Sequence, residues 1–415
     1  MTVPEGWREL SLAQIAEGGL FRDGDWVETK DQDPEGGVRL TQLADVGVGE
    51  WRNRSDRWMR EDQAARLSCT FIQPGDVLVA RMPDPIGRAC IVPEGVGVAV
   101  TVVDVAILRI KRADVHPAFV MWALNSPTIR AQVEVLQSGT TRKRISRKNL
   151  ATIRLAMPPL DEQRRVVEIL EEHLSGLDAA SAGLVGVERN IKALAQSALQ
   201  QLFKLEDFAN RPLADLVEMG SGGTPARARR DFYDEGDIPW VVIGDLSDGP
   251  LLHVQQTITE SGLAASSARW VPTGSILLAM YGSIGKLGIT TRPVTTNQAI
   301  AFLVPRQEVD ASYLYWFLLQ QRAALVRAGK GGTQRNISQT ILRTWPVPVP
   351  GLERQKEIAG AASQVSASVG RIRIELSAAR IRAQALRRAL LQAAFSGRLT
   401  GRASDSDRAE ELVST

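Results

Sequence analysis

"GTTRKRISRKNLATIRLAMPPLDEQRR" occupies residues 139–165, and "GTQRNISQTILRTWPVPVPGLERQKE" occupies 332–357. Each stretch opens on Gly-Thr, reaches an Ile-Ser through a basic loop, crosses a proline-rich step and enters a charged run of helix-forming residues. One such stretch is an ordinary loop leading into a helix. Two of them, in the same order and about 190 residues apart, indicate a duplicated unit.

The echo extends outward from both copies. "LAQIAEGG" (12–19) aligns with "LADLVEMG" (213–220), and "PGDVLVARMPDPIGR" (74–88) with "TGSILLAMYGSIGK" (273–286). "HPAFVMWALNSPTIRAQV" (116–133) resembles "DASYLYWFLLQQRAALV" (310–326). So long a period is no solenoid repeat; it is a duplicated domain pair. Each half has two textures. Residues 1–157 and 207–349 carry short β-branched runs punctuated by Gly and Pro, such as "DVLVA", "AVTVVDVAILRI", "SILLAM" and "AIAFLVP", which read as strands with short helices at 117–125 and 311–322 between them. These are mixed α/β domains.

The segments that follow, 158–206 and 350–402, are long-helical, and a polar tail expected to be flexible closes the chain at 403–415. In 353–395 an apolar or small residue stands at every a and d heptad position: Ala362, Val369, Leu376, Ala383 and Leu390 at a, and Val365, Ile372, Ala379, Leu386 and Ala393 at d. The matching column in 161–204 is Leu170, Leu177, Leu184, Ile191 and Ala198, with a weaker d column of His173, Ala180, Val187, Leu194 and Gln201. Gly176, Gly183 and Gly186 cost helix propensity but would allow close helix approach. Segment 161–204 holds seven acidic and five basic residues, and 353–402 holds ten basic and three acidic. Complementary charge and matching seams predict that the two helices pack on each other within one chain. At about 1.5 Å per residue each is a rod of roughly 65 Å. The expected architecture is α+β: two mixed α/β domains separated by two long antiparallel coiled-coil helices, as a pseudo-twofold tandem repeat. Homodimerisation through the helices is the alternative.

Composition excludes several classes. Apolar content of 44% and charged content of 23% are ordinary for a globular protein, and 415 residues exceed what one core usually supports. Cys69 and Cys90 fit no metal or disulfide framework, and His116, His173 and His253 have no partner at metal-ligand spacing. No signal peptide or membrane span is legible, so a cytoplasmic protein is expected. "GSIGK" (282–286) is followed by Leu287, not the Ser or Thr of a phosphate loop, and reads as a hairpin turn with an exposed lysine. There is no G-x-G-x-x-G after a strand and no Asn/Asp-Pro-Pro-aromatic motif of an amino-methyltransferase. No catalytic residue, metal site or cofactor site is therefore expected in this chain.

Net charge is only +3, so nucleic-acid binding must rest on local clusters. Arg142, Lys143 and Arg144 lie in the first basic loop, and Lys330, Arg335 and Asn336 in the second. "EWRNRSDRW" (50–58) offers Arg52, Asn53 and Arg54; "TPARARRDFY" (224–233) offers Thr224, Arg227, Arg229 and Arg230; Lys286 ends the hairpin turn. Cations neutralise phosphates, and Arg and Asn read guanine and adenine edges. The helix-pairing candidates are Leu170, Leu177, Leu184 and Ile191 against Val369, Ile372, Leu376, Leu386 and Leu390.

Taken together, the chain resembles the specificity subunit of a Type I restriction–modification system. The resemblance rests on the helix starts "PPLDEQRRVVEIL" and "PGLERQKEIA", the helix ends "ALQQLF" and "LLQAAFSGRL", the "GTTRKRIS" loop, the "SGGTP…IPWV…GDL" opening of the second half, and the run at 23–47. It implies two target-recognition domains, each reading half of a bipartite site in double-stranded DNA, with the helices as a ruler between them. It implies two modification subunits using S-adenosylmethionine to methylate adenine, and restriction subunits using ATP and Mg2+ for translocation and cleavage. The rival readings are a coiled-coil scaffold with protein-binding ends and a fused enzyme.

Overall fold

A computed structural model describes residues 3–205, 208–329 and 336–400. The chain forms two compact units, Met1–Val185 with Ser377–Thr415, and Gly186–Leu376. The cuts fall inside the two long helices, Leu160–Leu202 and Leu352–Ala394, so each unit holds the first part of one helix and the last part of the other.

In unit 1 the strand Arg8–Ser11 pairs antiparallel with Arg154–Met157, tying the start of the domain to the strand that feeds the first long helix. One four-stranded antiparallel sheet runs Leu20–Asp23, Val105–Arg109, Val77–Ala80, Ala89–Ile91. A second runs Trp58–Met59, Val38–Thr41, Ala99–Thr101, Phe71–Ile72, with the middle pair parallel. Val77–Ala80 is buried along its whole length, which accounts for its continuous apolar texture, whereas Val38–Thr41 is buried throughout although Arg39 and Thr41 alternate with its apolar residues.

Unit 2 repeats this order with two changes. Asn210–Pro212 pairs with Pro346–Pro348, and the larger sheet runs Val217–Ser221, Ile300–Pro305, Ile276–Ala279, Leu287–Thr290. That sheet gains a fifth strand, Gly249–Leu251, parallel to Leu287–Thr290. The smaller sheet keeps three strands, Thr257–Ile258, Ile238–Val241 and Thr295–Thr296, the last pair again parallel.

Each long helix starts immediately after a Pro-Pro or Pro-Gly step, with acidic residues in its first turn, where they complement the helix dipole. In unit 1, Val166, Val167, Leu170 and Leu174 share one core with Leu390, Leu391, Ala394 and Phe395. Asp178 is ion-paired with Arg387 at 2.5 Å and Glu162 accepts a hydrogen bond from Thr400, so the two helix segments run antiparallel within the chain. The Phe395 ring meets Phe119 edge-on at 5.1 Å. In unit 2, Leu199, Leu202 and Phe203 share a core with Ile358, Ala359 and Ala362, and Phe203 packs against Tyr313 and Phe317 at 5.8 and 6.1 Å. The repeated endings "ALQQLF" and "LLQAAF" thus place equivalent phenylalanines in equivalent cores.

The seam of the first helix differs from its sequence reading. Leu170, Leu177, Leu184 and Ile191 face inward, but the second column is Leu174, Ser181, Ala195 and Leu202 rather than His173, Ala180, Leu194 and Gln201. Leu194 is 69% exposed and Val187 is 44% exposed. Spacing alternates between four and three residues around a seam, and counting three before four displaced the column by one. In the second helix the a column is buried or half-buried throughout, and Leu386 and Leu390 join the unit 1 core. Leu376 is buried, but Ile372, expected in the seam, is 39% exposed, and with Val369, Ile191 and Leu202 it lines an open groove of about 780 Å³ in unit 2 where the two helices do not close on each other. The glycines serve no close approach: a Cβ on Gly176, Gly183 or Gly186 would meet no heavy atom within 4 Å.

Candidate nucleic-acid interface

In unit 1 three loops are fastened to the hairpin Val77–Ala80/Ala89–Ile91. Arg88, almost fully buried, donates to the carbonyls of Val46 (2.7 Å), Leu43 (2.8 Å), Pro85 (3.1 Å) and Met82 (3.2 Å). It therefore binds the turn after Val38–Thr41 to the hairpin's own loop. At the other end of the same loop, Arg81 donates from Nε to the Ile145 carbonyl at 3.1 Å and accepts the Ile145 N–H at 3.0 Å. Ile145 is fully buried and anchors the basic loop. Ser138 and Arg144 exchange both backbone hydrogen bonds at 2.9 Å, which pinches residues 138–144 into a closed loop. Gly139 has φ +99, and a Cβ there would lie 2.5 Å from the Arg142 carbonyl oxygen, so the tight turn requires glycine. Arg142, Lys143 and Arg144 project from this loop, all exposed.

The loop 46–57 is organised from within. Asp45 is fully buried, and its carboxylate accepts the N–H groups of Gln42 (2.8 Å), Arg54 (2.7 Å) and Ser55 (2.8 Å) and the Arg39 guanidinium (3.2 Å). Arg39 also donates to the Asn53 side chain and lies 5.7 Å from the Trp51 ring centroid. Asn53 takes φ 48, the left-handed region that Asn tolerates better than most residues. Its amide oxygen is thus engaged inside the protein. Arg52 pairs with Glu50 at 2.7 Å, while the exposed Arg54 side chain has no partner among the described residues.

Unit 2 uses the same strand end to hold residues 336–337: the Ile337 N–H donates to the Met280 carbonyl at 2.9 Å, and Asn336 bridges Tyr281. Asn336 and Tyr281 are exposed. Lys330 and Arg335 lie outside the described residues. Thr224 donates to Gln298, beside Ala299, whose carbonyl accepts the Met280 N–H at 2.8 Å. The 224–230 segment is thereby brought to the same strand end. Within it Arg229 pairs with Asp231 at 2.7 Å and lies 4.7 Å from the Phe232 ring centroid, whereas Arg227 and Arg230 are exposed. Lys286 is half-buried rather than exposed, because the hairpin packs its last turn against the loop at Asp248.

Asp45, Arg81, Arg88 and Asp245 were missed by the sequence reading. The readable signal for the aspartates was "LAD" at 43–45 echoed by "IGD" at 243–245, each aspartate four residues past the end of a strand, Val38–Thr41 or Ile238–Val241. The Asp245 carboxylate accepts the Val242 N–H at 2.9 Å and the Gln255 N–H at 3.4 Å. The cysteines offer no reactive thiolate, since burial pushes the Cys69 thiol up to about 11 and the Cys90 thiol up to about 12. Among the described residues no cluster of His, Cys, Asp and Glu is placed to hold a metal ion, and no helix is long and apolar enough to cross a membrane.

Two mixed α/β domains, each with exposed basic residues gathered about one hairpin and each tied to a long helix, define a tandem recognition protein. The family model for the Type I restriction modification DNA specificity domain matches residues 4–182 and again 205–377. The chain belongs to this family and is a specificity subunit. It is 22% identical to the EcoBI specificity subunit of Escherichia coli over 96% of this chain and 88% of that one. It is 29% identical to the MjaIX specificity subunit of Methanocaldococcus jannaschii, over 38% of each chain. The match thus spans under half of the MjaIX relative. Among solved structures, a chain of a type I R-M system superposes with a TM-score of 0.80 at 19% identity, covering 96% of this chain and 100% of that one. The HsdS subunit from Thermoanaerobacter tengcongensis gives 0.62 at 18% identity, over 96% and 99%. At these identities the likeness establishes the fold.

Proposed function

We propose that this chain supplies sequence recognition to a Type I restriction–modification complex, unit 1 reading one half of a bipartite duplex site and unit 2 the other. The supporting observation is a repeated anchorage: the Ile145 N–H on the Arg81 carbonyl and the Ile337 N–H on the Met280 carbonyl hold the Ile-Ser that follows each basic stretch at the same strand end in both units. Arg142, Lys143, Arg144 and Arg54 supply free cations for phosphates or guanine edges in unit 1, and Arg227, Arg230 and Asn336 the corresponding groups in unit 2. Chemistry belongs, on this reading, to the partners: two modification subunits using S-adenosylmethionine, and restriction subunits using ATP and Mg2+. The long helices act as the ruler between half-sites.

Exchange of residues 1–157 for the matching domain of a relative tests the proposal. In the assembled complex it should change one half of the methylated motif and leave the other intact. Changes in both halves, or in neither, overturn independent reading. A scaffold that does not bind DNA would show no steep salt dependence in duplex titrations.

A further inference from the structure

Both long helices carry a glutamine at their fourth residue, Gln163 and Gln355, and neither exposes any surface. A fully buried primary amide needs its donors and acceptor matched. In unit 1 Gln163 donates from Nε2 to the carbonyls of Asp114 (3.0 Å) and Pro158 (2.8 Å), and its Oε1 accepts the His116 N–H (2.8 Å). In unit 2 Gln355 donates to the carbonyls of Glu308 (3.1 Å) and Pro350 (2.8 Å), and accepts the Asp310 N–H (2.8 Å). The same three bonds recur atom for atom. In each unit they join the helix start to the backbone segment that opens the domain's central short helix, Pro117–Asn125 or Ala311–Gln320.

Eight residues further along each long helix lies a second tie. The Trp122 indole N–H donates to Glu171 at 3.4 Å, and the Trp316 indole N–H donates to Ser363 at 3.0 Å. Apolar packing alone leaves a helix some freedom to rotate and slide against a domain, because apolar contacts are non-directional. Two directional ties on one helix face remove that freedom. The amide ties backbone to backbone, so it fixes the domain whatever side chains its loops carry.

We infer that Gln163 and Gln355 are positioning residues that lock each recognition domain in one orientation on its long helix, and thereby fix the number of unread base pairs between half-sites. The inference rests on the two-half-site reading proposed above. It concerns the gap, which no DNA-contacting residue reads.

The test uses the chain assembled with its modification subunits and a duplex library in which the two half-sites are separated by gaps of varied length. Gln163→Met and Gln355→Met keep the side-chain length and remove all three bonds. Each should leave both half-site sequences unchanged while raising methylation at gaps one base pair shorter or longer to within about tenfold of the parental gap, a difference of roughly 1.4 kcal/mol. Gln163→Glu retains the acceptor for His116 and loses both donors, and should relax the gap in the same sense. Lower thermal stability with a parental gap preference would make the glutamines ordinary core residues and overturn the inference. So would failure of both kinds of variant to fold, or altered half-site sequences. If the parental complex methylates no bipartite site at all, the two-half-site reading itself fails, an outcome distinct from any of these.

Discussion

Segments 42–57 and 242–256 leave equivalent strands, pass an equivalent aspartate and are then held in different ways. In unit 1 the segment curls around the buried Asp45 carboxylate and is strapped to the hairpin by Arg88. In unit 2 it becomes a strand: Gly249–Leu251 joins the larger sheet, and Asp248 accepts the Leu287 N–H at 2.9 Å and pairs with Arg322. Arg322 also donates to the Gly285 carbonyl at 2.8 Å. The frame around both segments, with its glutamine ties and its bonds from Ile145 to Arg81 and from Ile337 to Met280, is the same. What differs is the bracing of the parts that differ in sequence. A duplicated scaffold can therefore present two differently shaped reading surfaces without altering how either domain is mounted.

The largest expected effect follows from that difference. Asp45→Ala removes the only carboxylate that Arg39 pairs with among the described residues and leaves a nearly buried guanidinium without its counter-charge. Breaking a buried pair in this way costs about 3–5 kcal/mol. Asp245→Ala removes two backbone hydrogen bonds from a half-buried carboxylate and should cost about 1 kcal/mol. Denaturant unfolding of the two variants measures the contrast; equal losses would mean that both aspartates brace their segments alike. In the assembled complex Asp45→Ala should also degrade recognition of one half-site only.

How much of this was open to a reader of the sequence depends on the range of the interaction. The duplication, the long helices and the a columns were legible because they rest on spacing within one element. The d column of the first helix was not, since Leu174 and His173 both fit a count of three to four from Leu170. Pairings such as Arg52 with Glu50 and Arg229 with Asp231 lie two residues apart and could have been read as local charge pairs. They were counted instead among free cations. Arg88 was invisible for another reason: its partners are four backbone carbonyls, which leave no mark in the side-chain pattern. Gln163 stood in plain view in a repeated motif, but its role depends on residues 114–116, almost fifty positions away.

Arg88 gives the next effect in size. Arg88→Lys keeps the charge but cannot span carbonyls of both loops, so it should cost about 2 kcal/mol through unsatisfied buried acceptors. Lys286 is the aligned residue of unit 2, where Arg322 takes over the bracing, and Lys286→Ala should stay within about 0.5 kcal/mol of the parent. A large loss at Lys286 would erase the proposed division of labour. Unfolding midpoints at matched denaturant slopes decide it.

The basic loops differ in kind as well. Neutralising Arg142, Lys143 and Arg144 together should leave stability unchanged, because all three are exposed. If they touch phosphates, each lost charge lowers the slope of log affinity against log salt by about 1, and binding weakens uniformly over sequences. Asn336→Ala in the second loop removes no charge. It should leave the slope intact and relax discrimination at one half-site by about 1–3 kcal/mol if its amide reads a base edge. A change of slope from Asn336→Ala, or of half-site sequence from the triple substitution, would reverse these assignments.

The smallest effect compares glycines of the first long helix with a glycine that packing requires. Gly176 and Gly183 lie in the unit 1 part of the first helix, where a Cβ would meet open space and the backbone is helical. Glycine in a helix interior costs up to about 1 kcal/mol relative to alanine, chiefly because the unfolded chain loses more freedom on ordering. No packing role offsets that cost at either position. Gly176→Ala and Gly183→Ala should each stabilise unit 1 by a few tenths to about 1 kcal/mol, and should add, since the residues are two helical turns apart and share no partner. Gly49 is the internal contrast: φ +82 and a Trp122 ring carbon 2.2 Å from the position of a Cβ make alanine destabilising there. Thermal unfolding of the single and double helix variants reads the gain. A destabilised Gly183→Ala would show that a Cβ at this position meets a neighbour within the chain, and the glycine would then have the packing role that its open surroundings deny it.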